Sequence, residues 1–196
     1  MAILARIRPI LFQEGFSHLS MDDLARQMGM SKSTLYMYFR TREDIWEEIL
    51  RGLLAHLRDE FEILNDEALP YLERLNRVLA GVGEMLDRVS DRFWADLSYS
   101  APDHQYLIHE TQNILLDHIK FFYKEGLETG VLKEGLDLDI LVTTDLLFCQ
   151  ALLQKGRGRM SGRSYREVLD GYFKIKTRGI LAEEISENQE ETLRRN

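Results

Sequence analysis

The chain has 196 residues, 44% of them hydrophobic and 30% charged, the balance of a soluble globular protein long enough to bury a sizeable core. A single cysteine, Cys149, excludes an intrachain disulfide, and no apolar run approaches the roughly 18 residues of a membrane span. The net charge of −8 is uneven: residues 1–42 hold six Lys/Arg and three acids, net +3, and the remainder 19 basic and 30 acidic residues, net −11. A basic head on an acidic body suits local contact with phosphate combined with solubility.

The predicted elements are all helical, with short polar breaks and no convincing period-two strand. The opening, with Arg6, Arg8 and Pro9, does not read as a secretory leader. A first helix runs from about Ile3 to Glu14 and stops at Gly15, and Pro9 inside it should remove one hydrogen bond and kink it. Ser20 then caps a short second helix with Asp23 at its positive end, and Gly29 stops that helix after barely two turns. Ser31 caps a third helix from Lys32 to about Phe39. Thr41 caps a fourth, long one from Arg42 to about Leu64, where Ile45, Ile49, Leu53, Leu57 and Phe61 recur every four residues. Further helices are expected at about 70–89, 91–100, 104–129, 137–155 and 164–183.

Two short helices joined by Met28-Gly29-Met30-Ser31 have the dimensions of a helix-turn-helix. The second of them opens with Lys32, Ser33 and Thr34, a cation and two hydroxyls suited to base edges or phosphate oxygens in a major groove. Leu35 and Phe39 should turn inward against Leu24 and Leu19. Tyr36, Tyr38, Arg40 and Arg42 place phenols and cations at backbone height.

At these residues the chain resembles the TetR family. Ile3-Leu4, Ile10-Leu11, Gly15-Phe16, Ser20, the run Asp23 to Gly29, Ser31 to Phe39 and Arg42-Glu-Asp-Ile-Trp46 fall where that family's pattern places them, over about residues 3–50. Arg6 and Ile7 stand where small residues are usual, and Ser33 where Gly is common. The resemblance implies that Lys32, Ser33 and Thr34 meet bases or nearby backbone and that Tyr36, Tyr38 and Arg42 hold phosphates. It implies an all-α fold with an N-terminal three-helix helix-turn-helix DNA-binding domain, residues 1–46. A C-terminal helical bundle for effector binding and dimerisation would follow at 47–183, with a frayed tail at 184–196. It also implies a homodimer on a palindromic double-stranded DNA operator; the broad apolar faces of about 137–155 and 164–181 suit the dimer interface, and the single cysteine fits the cytoplasm. A small apolar or amphipathic effector would release it. The rival reading is a TetR-like module that acts through protein–protein contact.

Elsewhere the residues point to less. His109-Glu110 lacks a second His at 113, so no zinc-protease motif exists, and His104, His109 and His118 read as scattered surface histidines. Cys149 on an apolar helix reads as a packing residue. No Ser/His/Asp or Cys/His set has supporting context, so no catalytic residue, cofactor or metal is expected. The basic, glycine-rich stretch 155–166 reads as a loop. For an effector pocket the first candidates are Met85, Trp94, Tyr99 and Phe122, although core packing would use the same side chains.

Overall fold

A computed structural model describes residues 2–98, 102–153 and 162–181. In chain order it comprises α1 (Ala2–Glu14), α2 (Met21–Gln27), α3 (Lys32–Tyr36), α4 (Arg42–Glu62), a 3-10 turn (Ile63–Asn65), α5 (Tyr71–Asp87), α6 (Asp91–Ser98), α7 (Pro102–Glu128), α8 (Leu138–Leu153) and α9 (Tyr165–Ile180). Among the described residues there is no strand, only an isolated antiparallel bridge between Leu132 and Leu181. No helix among them is long and apolar enough to cross a membrane.

The first three helices form a small layer whose interior is Ile7, Leu11, Leu24, Ala25 and Leu35, all buried. Local chemistry sets their ends. Ser20 and Asp23 form a reciprocal capping box on α2, as Thr41 and Asp44 do on α4, so two orphan amides are satisfied at each start. Gly15 and Gly29 take φ of +78° and +64°, a left-handed conformation that a side chain resists. Pro9 lies on the exposed side of α1, with Ala5 one turn before it, and the helix continues through it. Helix α3 is shorter than its periodicity predicts: it ends at Tyr36 with Met37 as cap, and Phe39 packs on the core from the following turn.

Helix α4 serves both layers. Ile45 and Trp46 complete the core of the head, and beyond them α4 packs along α7. The body stacks α5 on α9 and α7 on α8. Its interior is not purely apolar. Arg74 of α5, 2% exposed, is ion-paired with Glu125 of α7 and donates to the Leu64 carbonyl at 2.9 Å, which ties the 3-10 turn to two helices. Asp145 of α8 is 3% exposed and accepts from Tyr123 of α7 and from Tyr172 and Lys176 of α9. Lys176 also donates to the Leu141 carbonyl at 3.0 Å and lies 4.6 Å from the Tyr123 ring centre. Burial lowers the pKa of Lys176, opposed by its bond to Asp145, while burial pushes the Tyr123 phenol well above its ordinary range.

The head is joined to the body by aromatic packing. Phe93 of α6, fully buried, meets Phe12 edge-on at 5.3 Å and Trp46 at 4.9 Å, and Trp46 stacks on Phe16 at 5.0 Å. Around this cluster the Asp96 carboxylate accepts from the amides of Phe16 and Ser17, and the Ser90 amide donates to the Phe12 carbonyl at 2.7 Å.

Candidate nucleic-acid interface

The second helix of the motif presents its polar face outward for a packing reason. Leu35 is fully buried against α2, which leaves Tyr36 beside it 43% exposed, and in the turn that follows the helix Met37 is 83% and Tyr38 63% exposed. Ser31 caps the helix by accepting from the Thr34 amide at 3.1 Å, and its hydroxyl lies 2.8 Å from Ser33 Oγ and 2.7 Å from Thr34 Oγ1. The two hydroxyls expected to meet DNA are thus gathered at one helix end. The Lys32 ammonium lies 5.9 Å from the Tyr36 ring centre and is ion-paired with Asp22 of α2 at 2.8 Å.

Lys32, Tyr36 and Arg42 border one open concavity of about 430 Å³, together with Ser20, Asp22 and Arg40. Ser33, Thr34 and Tyr38 lie outside its rim. Three cations against Asp22 and Glu43 leave the groove weakly positive. Arg42 is more engaged than a freely projecting anchor: its guanidinium sits 4.3 Å over the Phe16 ring and donates to the Leu19 carbonyl at 3.1 Å, with Glu43 at 3.4 Å. Asp23 and Asp44, held by the caps, are the carboxylates with lowered pKa here. Hydrogen bonds from Ser20 are the leading cause for Asp23, and backbone and side-chain bonds from Thr41 for Asp44. Arg6, unusual in its place, donates to the Met28 carbonyl and so braces the turn between α2 and α3 from α1.

The body residues singled out for an effector are dispersed. Phe122 stacks on Tyr71 at 4.0 Å and lines an enclosed cavity with Leu75, Tyr123, Leu132, Phe173 and Lys176. Its volume of about 10 Å³ holds no more than a water. Met85 and Trp94 are buried but do not line it, Trp94 standing edge-on to Phe93 at 5.9 Å. Tyr99, the tail from 184 and most of the basic stretch 155–166 lie outside the described residues. Cys149 is half-buried, and burial pushes its thiol up to about 11. The histidines are not uniformly superficial: His104 is buried, and His118 Nδ1 lies 2.7 Å from Asn65 Nδ2. Among the described residues no group of three or more His, Cys, Asp or Glu side chains could hold a metal ion.

On α8 and α9 a further apolar face is open. Ile140 and Leu147 of α8 are 62% and 60% exposed, and Ile175 of α9 is 78% exposed. Gly171 and Gly179, one turn to either side of Ile175, face open space.

A short capped helix pair with a polar, cation-bearing second helix, seated on a long helical body, defines a helix-turn-helix protein with an all-helical C-terminal domain. Residues 3–49, the helix-turn-helix head, match the family profile of bacterial regulatory proteins, tetR family. It is 23% identical over 124 residues to the uncharacterized HTH-type transcriptional regulator YhgD of Bacillus subtilis (strain 168), a match over 62% of this chain and 65% of that protein, just under two thirds of its length. In structure it is similar to a TetR-family transcriptional regulator from Marinobacter aquaeolei VT8, with TM-score 0.77 and 20% identity over 95% of this chain and 92% of the other. It is also similar to the transcriptional regulator FadR of Bacillus subtilis in complex with stearoyl-CoA, with TM-score 0.65 and 17% identity over 88% and 95%. At these identities the structural likeness concerns the fold.

Proposed function

We propose that the chain is a dimeric, ligand-responsive transcriptional repressor of the cytoplasm that holds a palindromic DNA operator through residues 31–42. The head would comprise residues 1–46, the effector-binding and dimerisation body 47–183, and the tail 184–196. The observation that carries the reading is the outward side of α3 and the turn after it, where Lys32, Tyr36 and Tyr38 are exposed while Leu35 anchors the helix from behind. Lys32, Ser33 and Thr34 are assigned to bases or adjacent backbone, and Tyr36, Tyr38 and Arg42 to phosphates. Arg42 would present the edge of a guanidinium already immobilised on Phe16, which lowers the entropy lost on contact.

Dimerisation is assigned to 137–155 and 164–181. Glycines beside an exposed isoleucine let a partner helix approach closely, and the isologous symmetry would set two α3 helices toward half-sites about one turn of duplex apart. The effector is assigned to the body, as a small apolar or amphipathic molecule. Met85, Trp94, Tyr99 and Phe122 stay as candidate lining residues. The likeness to a FadR that binds stearoyl-CoA favours an acyl chain as the first class to test. Such a ligand acts only by binding one conformation better, here one in which α4 tilts the head. The cavity of about 10 Å³ beside Phe122 would have to open first.

The test is binding to DNA flanking the chain's own gene at two salt concentrations, comparing the native protein with Lys32→Ala/Tyr38→Ala. Selective, salt-sensitive binding lost in the double variant supports the reading. Absence of selective binding there and against a randomised pool overturns it and favours the protein-interaction module.

A further inference from the structure

We propose that Asp22 is an electrostatic latch on the reading helix, holding Lys32 until DNA supplies a better acceptor. This rests on the assignment of α3 to DNA made above. Lys32 Nζ lies 2.8 Å from Asp22 Oδ1 and 3.0 Å from Oδ2, so the ammonium straddles the carboxylate and two of its three donors have a place there. The pair bridges the first turns of α2 and α3 at the rim of the same concavity that Tyr36, Arg40 and Arg42 border. It is open to water, with side chains 53% and 59% exposed, so it exchanges readily and is worth little by itself.

Its consequence comes from position. A carboxylate beside the reading helix repels any phosphate that approaches, and it occupies the cation that would attract one. The neighbouring acid, Glu43, lies beside Arg42 and leaves Lys32 to Asp22 alone. Every duplex, whatever its sequence, must therefore open the Asp22–Lys32 pair on docking. Only a sequence that offers Lys32 a well-placed base acceptor regains what was lost. The latch thus weakens indiscriminate binding more than selective binding, which is discrimination by penalising the wrong partner. A head, residues 1–46, with a net charge of only +1 has little non-specific affinity to spare, and Asp22 lowers it further.

The experiment uses the full chain and its Asp22→Asn, Lys32→Ala and Asp22→Asn/Lys32→Ala variants. Each is titrated, across a salt series, with a short mixed-sequence duplex and with the strongest duplex the native protein selects from a randomised pool. Asp22→Asn is expected to bind the mixed-sequence duplex about two- to fivefold tighter for each head engaged. Its log–log salt slope should steepen by about one per head, because Lys32 becomes a phosphate contact. The selected duplex should gain less, so the ratio between the two falls. In the Lys32→Ala background the Asp22 substitution should give a clearly smaller gain, that of relieved charge repulsion alone, with no steepening of the salt slope.

If Asp22→Asn lowers the melting temperature and weakens DNA binding as Lys32→Ala does, the pair is a structural brace and the latch is refuted. An equal gain with and without Lys32 refutes it too, leaving plain charge repulsion. If the native protein selects DNA and Asp22→Asn leaves its discrimination unchanged, the latch fails while the regulator reading stands. If no variant selects DNA, both fall.

Discussion

Phe93 offers the sharpest test of how the head is fastened to the body. Its ring is fully buried between Phe12 of α1, Trp46 of α4 and Trp94 of its own helix, at 5.3, 4.9 and 5.9 Å. Phe93→Ala removes the transfer energy of a whole ring and leaves a cavity walled by two indoles, which collapse poorly, so a loss of about 3–5 kcal/mol is expected. For a chain of this size each kcal/mol moves the midpoint by about 2–4 °C, so thermal unfolding followed by far-ultraviolet circular dichroism should shift down by about 6–20 °C. The loss should be shared: α1 amides, remote in sequence, should lose protection from hydrogen exchange because Phe12 loses its partner. Phe93→Leu, which refills most of the volume, should fall well short of the alanine effect. A shift below about 6 °C, or faster exchange confined to α6, would mean that head and body are energetically separate and that the aromatic cluster does not couple them.

Two further outcomes follow from the caps and the open face. Asp23 and Asp44 have pKa values lowered in the folded state by their cap hydrogen bonds, so their contribution is present above the unfolded carboxylate range and is lost as pH falls through the lowered folded values. Acid titration of thermal stability should therefore show Ser20→Ala and Thr41→Ala destabilised near neutrality, with the difference from the native chain shrinking below about pH 4; a pH-independent difference would contradict the linkage. Ile175→Asp places a charge at the centre of the glycine-flanked face of α9. Sedimentation should then report a dimer for the native chain and a monomer for the variant, and a variant that stays dimeric would move the interface elsewhere.

The head was readable because its signals are local. Ser20 with Asp23, Ser31 with Thr34 and Thr41 with Asp44 act within three residues, and Gly15 and Gly29 mark chain reversals that only their own φ angles require. The spacing also indicated which face of α3 would be buried. It did not reveal that α3 would stop at Tyr36, because Phe39 reaches the core from a turn as well as from a helix. Asp22 is one of two acids in the first turn of α2, with no local signal to set it apart. Its pairing depends on how α2 and α3 cross, which no spacing within either helix specifies. Arg42 was legible as a cation but not as a ring-stacked one, since Phe16 comes to it from the loop after α1.

In the body the same logic explains the silence of the sequence. Arg74 and Glu125 are 51 residues apart, and Asp145 draws partners from α7 and α9, so no window of the chain contains either network. Both lie inside helices whose apolar periodicity hides them. Their placement has a mechanical consequence. A buried ion pair adds little net stability against an apolar substitute, yet losing one partner leaves a buried charge without its counter-ion and is heavily penalised. Relative sliding of α5 against α7, or of α8 against α9, would expose that penalty, so these pairs resist shear within the body. The contact between body and head is of another kind: stacked rings and amides donating to Asp96 at the α1–α2 corner. Rings slide over one another with less loss than an ion pair suffers when it breaks. On the proposed mechanism, a change started in the body would therefore reach the head at the seam where α6 and α4 meet α1.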